Sequence, residues 1–205
     1  VFRIPSGAMT KPLVHIYADE SCLGNRRDRQ TPGGAAGLVE FWKDAGWIRR
    51  DYWTSEPGTT NNRMAIRSAI EGLSGLKQPC RVIFTSDSQY LVRAMREWIA
   101  AWVRRNWIRK TGPVENAELW QRLLPIAARH EVDWRWVRGH AGHPQNEYAD
   151  HLAVRAAREQ SRSAGLVESG FTEWLEEQRE KYEKYFDFYE FQPPEDDGFD
   201  PVPTP

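Results

Sequence analysis

Apolar and polar positions along this chain repeat with two different periods, and the switches between them divide it into elements. Residues 13–17, Leu-Val-His-Ile-Tyr, alternate and are β-rich, which predicts a strand that delivers Asp19 at its carboxyl end. Two more strands are predicted over 33–42 and 47–54, joined by the turn signal Lys43-Asp44-Ala45-Gly46. Residues 60–76 carry Met64, Ile66, Ala69, Ile70 and Leu73 at helical spacing, with Thr60 or Asn61 as N-cap. The apolar run 81–85 predicts a short strand, and it too leads to an aspartate, Asp87. Helices are expected over 88–102 and 116–130, a last strand over 132–137 and a helix over 146–159.

Three strands followed by alternating helix and strand predict an α/β fold, a five-stranded mixed sheet flanked by helices. Ligands of such sheets gather outside the carboxyl ends of the parallel strands. Asp19 and Asp87 are therefore grouped by the pattern alone. Beyond the sheet, residues 172–191 predict a helix with Trp174, Leu175, Tyr182, Tyr185, Phe186 and Tyr189 among glutamates, docked by its aromatic face. Pro193-Pro194 would stop it, and 195–205 is expected to be disordered. The division expected is a leader or cloning remnant over 1–12 (Ser6-Gly7-Ala8-Met9 reads as a scar), a domain over 13–160, and an acidic extension over 161–205.

Charge changes this picture more than composition does. Residues 166–205 hold 12 acidic and 3 basic residues, a net of −9, which leaves 25 basic and 17 acidic residues in 1–165, a net of +8. A basic body suits a polyanion. The −9 segment is expected either to pack plainly or to lie over the basic surface and compete with nucleic acid. Two cysteines, Cys22 and Cys80, are too few for a disulfide framework and point to a reducing, cytoplasmic compartment. No apolar run suggests a membrane span or membrane partner.

Four segments carry the candidate chemistry: Tyr17-Ala18-Asp19-Glu20-Ser21-Cys22-Leu23-Gly24-Asn25, Thr59-Thr60-Asn61-Asn62-Arg63-Met64, Thr85-Ser86-Asp87-Ser88-Gln89-Tyr90, and Gly139-His140-Ala141-Gly142-His143-Pro144-Gln145-Asn146-Glu147-Tyr148-Ala149-Asp150. Together they resemble the active-site segments of type 1 ribonuclease H of the bacterial kind, over residues 13–160. The resemblance implies a ribonuclease H-like fold and hydrolysis of the RNA strand of an RNA–DNA hybrid, leaving 5′-phosphate and 3′-hydroxyl ends. It also implies two Mg2+ ions, with Mn2+ as substitute, held by Asp19, Asp87 and Asp150. Asp150 would lie on the first turn of its helix. His140 would assist proton transfer or product release, and His143 would order the loop.

The resemblance breaks at two places. Ala65 stands where the family has a metal-binding glutamate, and Glu20 stands where it usually has glycine. Three readings follow: the carboxylate has moved to Glu20, the alanine is an engineered knockout, or the protein is a natural binding module that has lost its chemistry. The paired change favours the first. Against it, consecutive strand residues point to opposite faces, so Glu20 reaches the metals only if the strand has ended or bends.

The resemblance further places Asn25, Asn61, Asn62, Gln89 and Asn146 against the substrate, although single asparagines also serve as helix caps. Trp98 to Lys110 is basic and tryptophan-interleaved, like the family's basic protrusion. Arg104, Arg105, Arg109 and Lys110 would meet DNA phosphates, Trp98 would be core, and Trp102 would share core and substrate roles. The arginines of Asn25-Arg26-Arg27-Asp28-Arg29-Gln30 could add phosphate contacts or be solvated. A monomer is expected.

Overall fold

The computed structural model describes residues 11–24, 31–188 and 198–205. A meander of three antiparallel strands, β1 (Leu13–Cys22), β2 (Gly33–Lys43) and β3 (Gly46–Glu56), leads into helix α1 (Asn61–Ser74). Strand β4 (Arg81–Ser86) then pairs parallel with β1, and β7 (Glu131–Trp136) pairs parallel with β4. Between them lie α2 (Gln89–Arg93), a π-helical turn (Ala94–Trp98), α3 (Ile99–Arg104), a small hairpin of β5 (Ile108–Arg109) and β6 (Gly112–Pro113), and α4 (Ala117–Ala127). Helix α5 (Pro144–Glu159) follows, then β8 (Val167–Glu168) and α6 (Phe171–Tyr182).

Among the described residues the main sheet has six strands, in the order β7-β4-β1-β2-β3-β8. The sixth was not predicted because β8 is two residues long and carries no periodic signal. It forms because the segment after α5 turns back along β3: Ser55 Oγ donates to Ser161 O (3.0 Å), Ser163 N donates to Trp53 O (3.0 Å), and Asp51 pairs with Val167.

One face of the sheet buries Val14, Ile16, Ala18, Val82 and Phe84 against α1, α4 and the tryptophans of α3 and α4. The other face is covered by α5. It comes very close to β2, since a side chain at Gly34 would place its Cβ 2.1 Å from Ala153 O. Only a glycine allows that approach, and it sets the height of α5 over the sheet. On the same face, Ala36 and Leu38 of β2 and Tyr148 and Leu152 of α5 pack with Phe171 and Leu175 of α6. Full burial of Phe171 alone is worth about 1.5–3 kcal/mol.

The extension is anchored at Asp51, a carboxylate 3% exposed that accepts from Tyr148 Oη (2.6 Å), Ser169 Oγ (2.6 Å) and Gly170 N (3.1 Å). Helix α6 ends at Tyr182, well short of residue 191, because Glu183 adopts a left-handed conformation (φ 54°) whose N–H caps Gln178 O. Tyr189 and Phe191 lie outside the described residues. So do residues 195–197 of the expected disordered tail. Residues 198–205 depart from that expectation: Asp200 pairs with Arg96 (2.8 Å), Phe199 lies under Arg81, and Val202 N donates to Val132 O (3.0 Å) at the β7 edge. Helix α6 lies on the opposite face of the sheet from the basic segment 104–110. Among the described residues, Asp200 of the acidic extension pairs with Arg96 (2.8 Å), outside that segment. Both cysteines are free, and no described helix is long and apolar enough to cross a membrane.

Candidate active site

The register between β1 and β4 builds the site. Ala18 lies opposite Ser86, so Asp19 and Asp87 leave two adjacent parallel strands side by side. β4 stops at Ser86, whereas β1 continues to Cys22 because β2 runs along its other side, pairing Glu20 with Ala35 and Cys22 with Gly33. From Asp19 onward the β4-facing flank of β1 is therefore open. Asp19 points to the α5 face, where Asn146 Nδ2 donates to its Oδ2 (3.3 Å) and to Ala18 O (3.4 Å). Glu20 shares the parity of Ala18 and starts on the α1 face. Its longer side chain comes round the open flank, and one oxygen each of Asp19, Glu20 and Asp87 lies within 4.8 Å of the others.

The geometric objection to Glu20 thus has a specific answer. The strand has not ended at residue 19 and need not bend, since its neighbour has ended instead. Ala65 on α1 is fully buried, in the same core cluster as Ala18. It faces the same side of the sheet as Glu20, so the strand supplies a carboxylate on the face where the helix supplies only a methyl.

Electrostatically this cluster is strained by like charge. Burial first, then the charges of Asp87, Glu20 and Asp150, push the Asp19 carboxyl up to about 9. Burial and the charge of Asp87 push Glu20 up to about 8, opposed by a hydrogen bond with the Ser88 side chain. Asp87 and Asp150 are also raised, chiefly by burial. Glu20 Oε2 is buried without a hydrogen-bond partner among the described residues. Three crowded carboxylates and an orphaned anionic oxygen fit a divalent cation, since a cation is what would let all of them ionise together.

The walls of the site come from the loop between β7 and α5. A Cβ on Gly139 would sit 2.3 Å from Asp87 Oδ2, so this glycine makes room for the carboxylate itself. Trp136 Nε1 donates to Asp87 O (2.9 Å) and fixes the backbone there. Both were missed as site residues in sequence; a glycine directly ahead of the loop histidine was the only signal. His140 is exposed, and it is among the neighbours that act to lower the carboxyls of Asp87 and Asp150 against the effect of burial. Asp150 lies on the second turn of α5, because the helix begins two residues early with Pro144 at its first turn. It stands outside the tight group of three but is coupled to all of them.

Asn146 is a correction. Expected against substrate, it is 1% exposed and spends its amide on Asp19. Trp102, expected to share core and substrate roles, is 9% exposed and packs on Trp98 and Trp120, while Trp98, expected in the core, is half-buried.

The remaining expected substrate residues are accessible. Thr60 is the N-cap of α1, its Oγ1 accepting from Arg63 N (3.3 Å), which leaves Asn61 and Asn62 exposed at the helix start. Gln89 is exposed at the start of α2. Arg104, Arg105 and Lys110 are exposed, while Arg109 is half-buried and donates to Pro113 O (3.1 Å). A groove of about 410 Å³ is lined by Tyr90, Trp98, Trp102, Arg105 and Arg109. Asn25 and the arginines that follow it lie outside the described residues.

A family model described as RNase H matches residues 11–158. The chain belongs to the RNase H family. Its similarity to the Ribonuclease H of Stutzerimonas stutzeri is 46% identity over 150 residues, covering 72% of this chain and 93% of that protein. The Ribonuclease HI of Caulobacter vibrioides is 47% identical over 152 residues, covering 72% and 95%. Among solved structures, LC9-RNase H1, described as a type 1 RNase H with the type 2 active-site motif, superposes with a TM-score of 0.85 at 47% identity, covering 97% of this chain and 95% of that one. The last of these similarities includes the acidic extension; the first two are confined to an RNase H domain.

Proposed function

We propose that this RNase H cleaves the RNA strand of RNA–DNA hybrids, with Glu20 supplying the carboxylate that position 65 lacks. The observation that carries it is the convergence of Glu20 with Asp19 and Asp87 around one point, from the face on which Ala65 is buried. The similarity to a type 1 enzyme described as having the type 2 active-site motif supports the same reading.

Asp19, Glu20 and Asp87 would hold two Mg2+ ions, with Asp150 completing the set from α5, and that charge would serve to activate water and stabilise the leaving oxygen. Asn146 keeps Asp19 turned inward, Ser88 steadies Glu20, and Gly139 and Trp136 keep Asp87 in place. His140, exposed beside Asp87 and Asp150, moves a proton at the open side of the cluster. Asn61, Asn62 and Gln89 offer neutral donors and acceptors to 2′-hydroxyls and base edges. Arg104, Arg105, Arg109 and Lys110 meet phosphates of the DNA strand, so binding weakens as salt rises. The half-buried Trp98, with Trp102 beside it in the groove, offers a ring to a sugar.

Incubation of labelled hybrid with Mg2+ or Mn2+ and with chelator tests this. Metal-dependent cleavage leaving 5′-phosphate ends is expected. Binding without cleavage, with activity created by Ala65→Glu, would instead identify a binding module with an inactivated site.

A further inference from the structure

Glu147, in the first turn of α5, holds two different parts of the molecule with one carboxylate. Its Oε1 accepts from Gly142 N (3.1 Å), in the loop that carries His140. Its Oε2 accepts from the hydroxyl of Tyr185, in the acidic extension. The two oxygens thus join the extension to the loop through a single side chain.

Both ends of this connection are built with evident cost. Tyr185 has φ 60° and Glu183 φ 54°, left-handed conformations that residues with side chains rarely adopt. They persist because the turn is held from within. Arg179 Nη2 donates to Phe188 O (2.7 Å) and its Nε to Tyr185 O (3.4 Å), while the Tyr185 ring packs on Trp174 with centroids 5.9 Å apart. Phe188 meets Phe171, and Phe171 is fully buried. The strained turn aims one phenol at one carboxylate. At the other end, His140 itself has φ 52° and Gly142 φ 87°, in a stretch whose side chains are mostly exposed. A loop with so little packing takes its conformation from the backbone bonds made to it.

We infer that the C-terminal extension positions the His140 loop, through the Tyr185 hydroxyl, the Glu147 carboxylate and the Gly142 amide. Tyr185 and Glu147 are positioning residues. The tyrosine fixes the rotamer of the glutamate, and the glutamate fixes the loop, so the histidine reaches Asp87 and Asp150 in a set geometry. The acidic extension is then part of the working site rather than a cover for the basic surface. This inference rests on the cleavage activity proposed above.

Tyr185→Phe, Glu147→Ala and the double variant, in the full chain, test it by hydrogen exchange and by steady-state cleavage of labelled hybrid. Amide exchange at residues 139–143 is expected to accelerate about fivefold or more in each variant, the scale of one lost hydrogen bond. The cleavage kcat should fall by a similar factor with KM unchanged, and the double variant should be no worse than Glu147→Ala alone. Ser169→Ala, which loosens the extension at Asp51, should lower Tm while leaving loop exchange and kcat nearly as in wild type. Unchanged loop exchange in Tyr185→Phe, or additive losses in the double variant, would overturn the inference. Exchange is read without turnover, so an inactive wild-type protein would remove the proposed function and still leave the tether decided.

Discussion

Two carboxylates of one sheet, on β1 and β3, are buried to nearly the same degree and do opposite work. Asp51 is 3% exposed and Asp19 is 6% exposed. Every group described around Asp51 donates to it or carries positive charge: Tyr148, Ser169, the Gly170 amide and, more distantly, Arg155. Around Asp19 the neighbours are Asp87, Glu20 and Asp150, relieved by one asparagine amide and the Glu20 N–H. A buried acid ringed by donors fastens two segments together, whereas a buried acid ringed by acids stores repulsion that a cation can release. The residue type is the same, and the company it keeps separates scaffold from site.

Neutralising one acid in each region separates the two roles. Glu20→Gln is expected to lower hybrid cleavage about a hundredfold or more, since several kcal/mol of metal-dependent stabilisation are at stake, with Tm unchanged or raised. Asp51→Asn should do the reverse. It should cost about 2–3 kcal/mol in denaturant unfolding by leaving buried donors unpaired, while cleavage by the folded protein falls no further than in Tyr185→Phe. A Glu20 variant that keeps its activity would show that Glu20 does not stand in for the carboxylate missing at position 65.

Gly139→Ala sharpens the site half. A Cβ placed 2.3 Å from Asp87 Oδ2 must displace the carboxylate. Cleavage is expected to drop about tenfold to a hundredfold, the scale seen for residues that orient metal ligands, with little change in hybrid affinity measured in Ca2+.

The smallest effect expected is one of pH on stability. The folded-state values of Asp19 and Glu20 are raised to about 9 and about 8. Without metal the native state therefore holds protons that the unfolded chain releases near pH 4. The cluster's contribution to stability is most favourable below that pH and declines as pH rises through 8 and 9. Divalent metal competes with those protons. Melting curves with and without Mg2+ should show a larger gain at pH 8 than at pH 5, reaching about 2–3 kcal/mol at a hundredfold excess over Kd. A gain independent of pH would mean that metal binds elsewhere.

Much of the fold was legible because apolar periodicity and strand-end acids carry it: the five longer strands of the sheet, the helix capped by Thr60, and the pairing of Asp19 with Asp87 all follow from local pattern. Glu20 was not legible in the same way. Alternation within β1 argues against it, and what admits it is the register with β4, a non-local fact that no window of sequence contains. Asn146 was placed against the substrate because its type and position suit that role equally well, and only burial separates the two. The two-residue β8 and the left-handed Glu183 arise from tertiary contact, against weak local preference.

The path of the extension has a consequence for how the molecule is made. Segments downstream of residue 160 occupy both borders of the main sheet, Ser161 to Glu168 along β3 and Val202 against β7. During synthesis the sheet exists before either border is occupied, and unpaired strand borders invite association between chains. A nascent chain halted near residue 160 would be the species most prone to self-association, and a chaperone that shields strand borders would act in that interval.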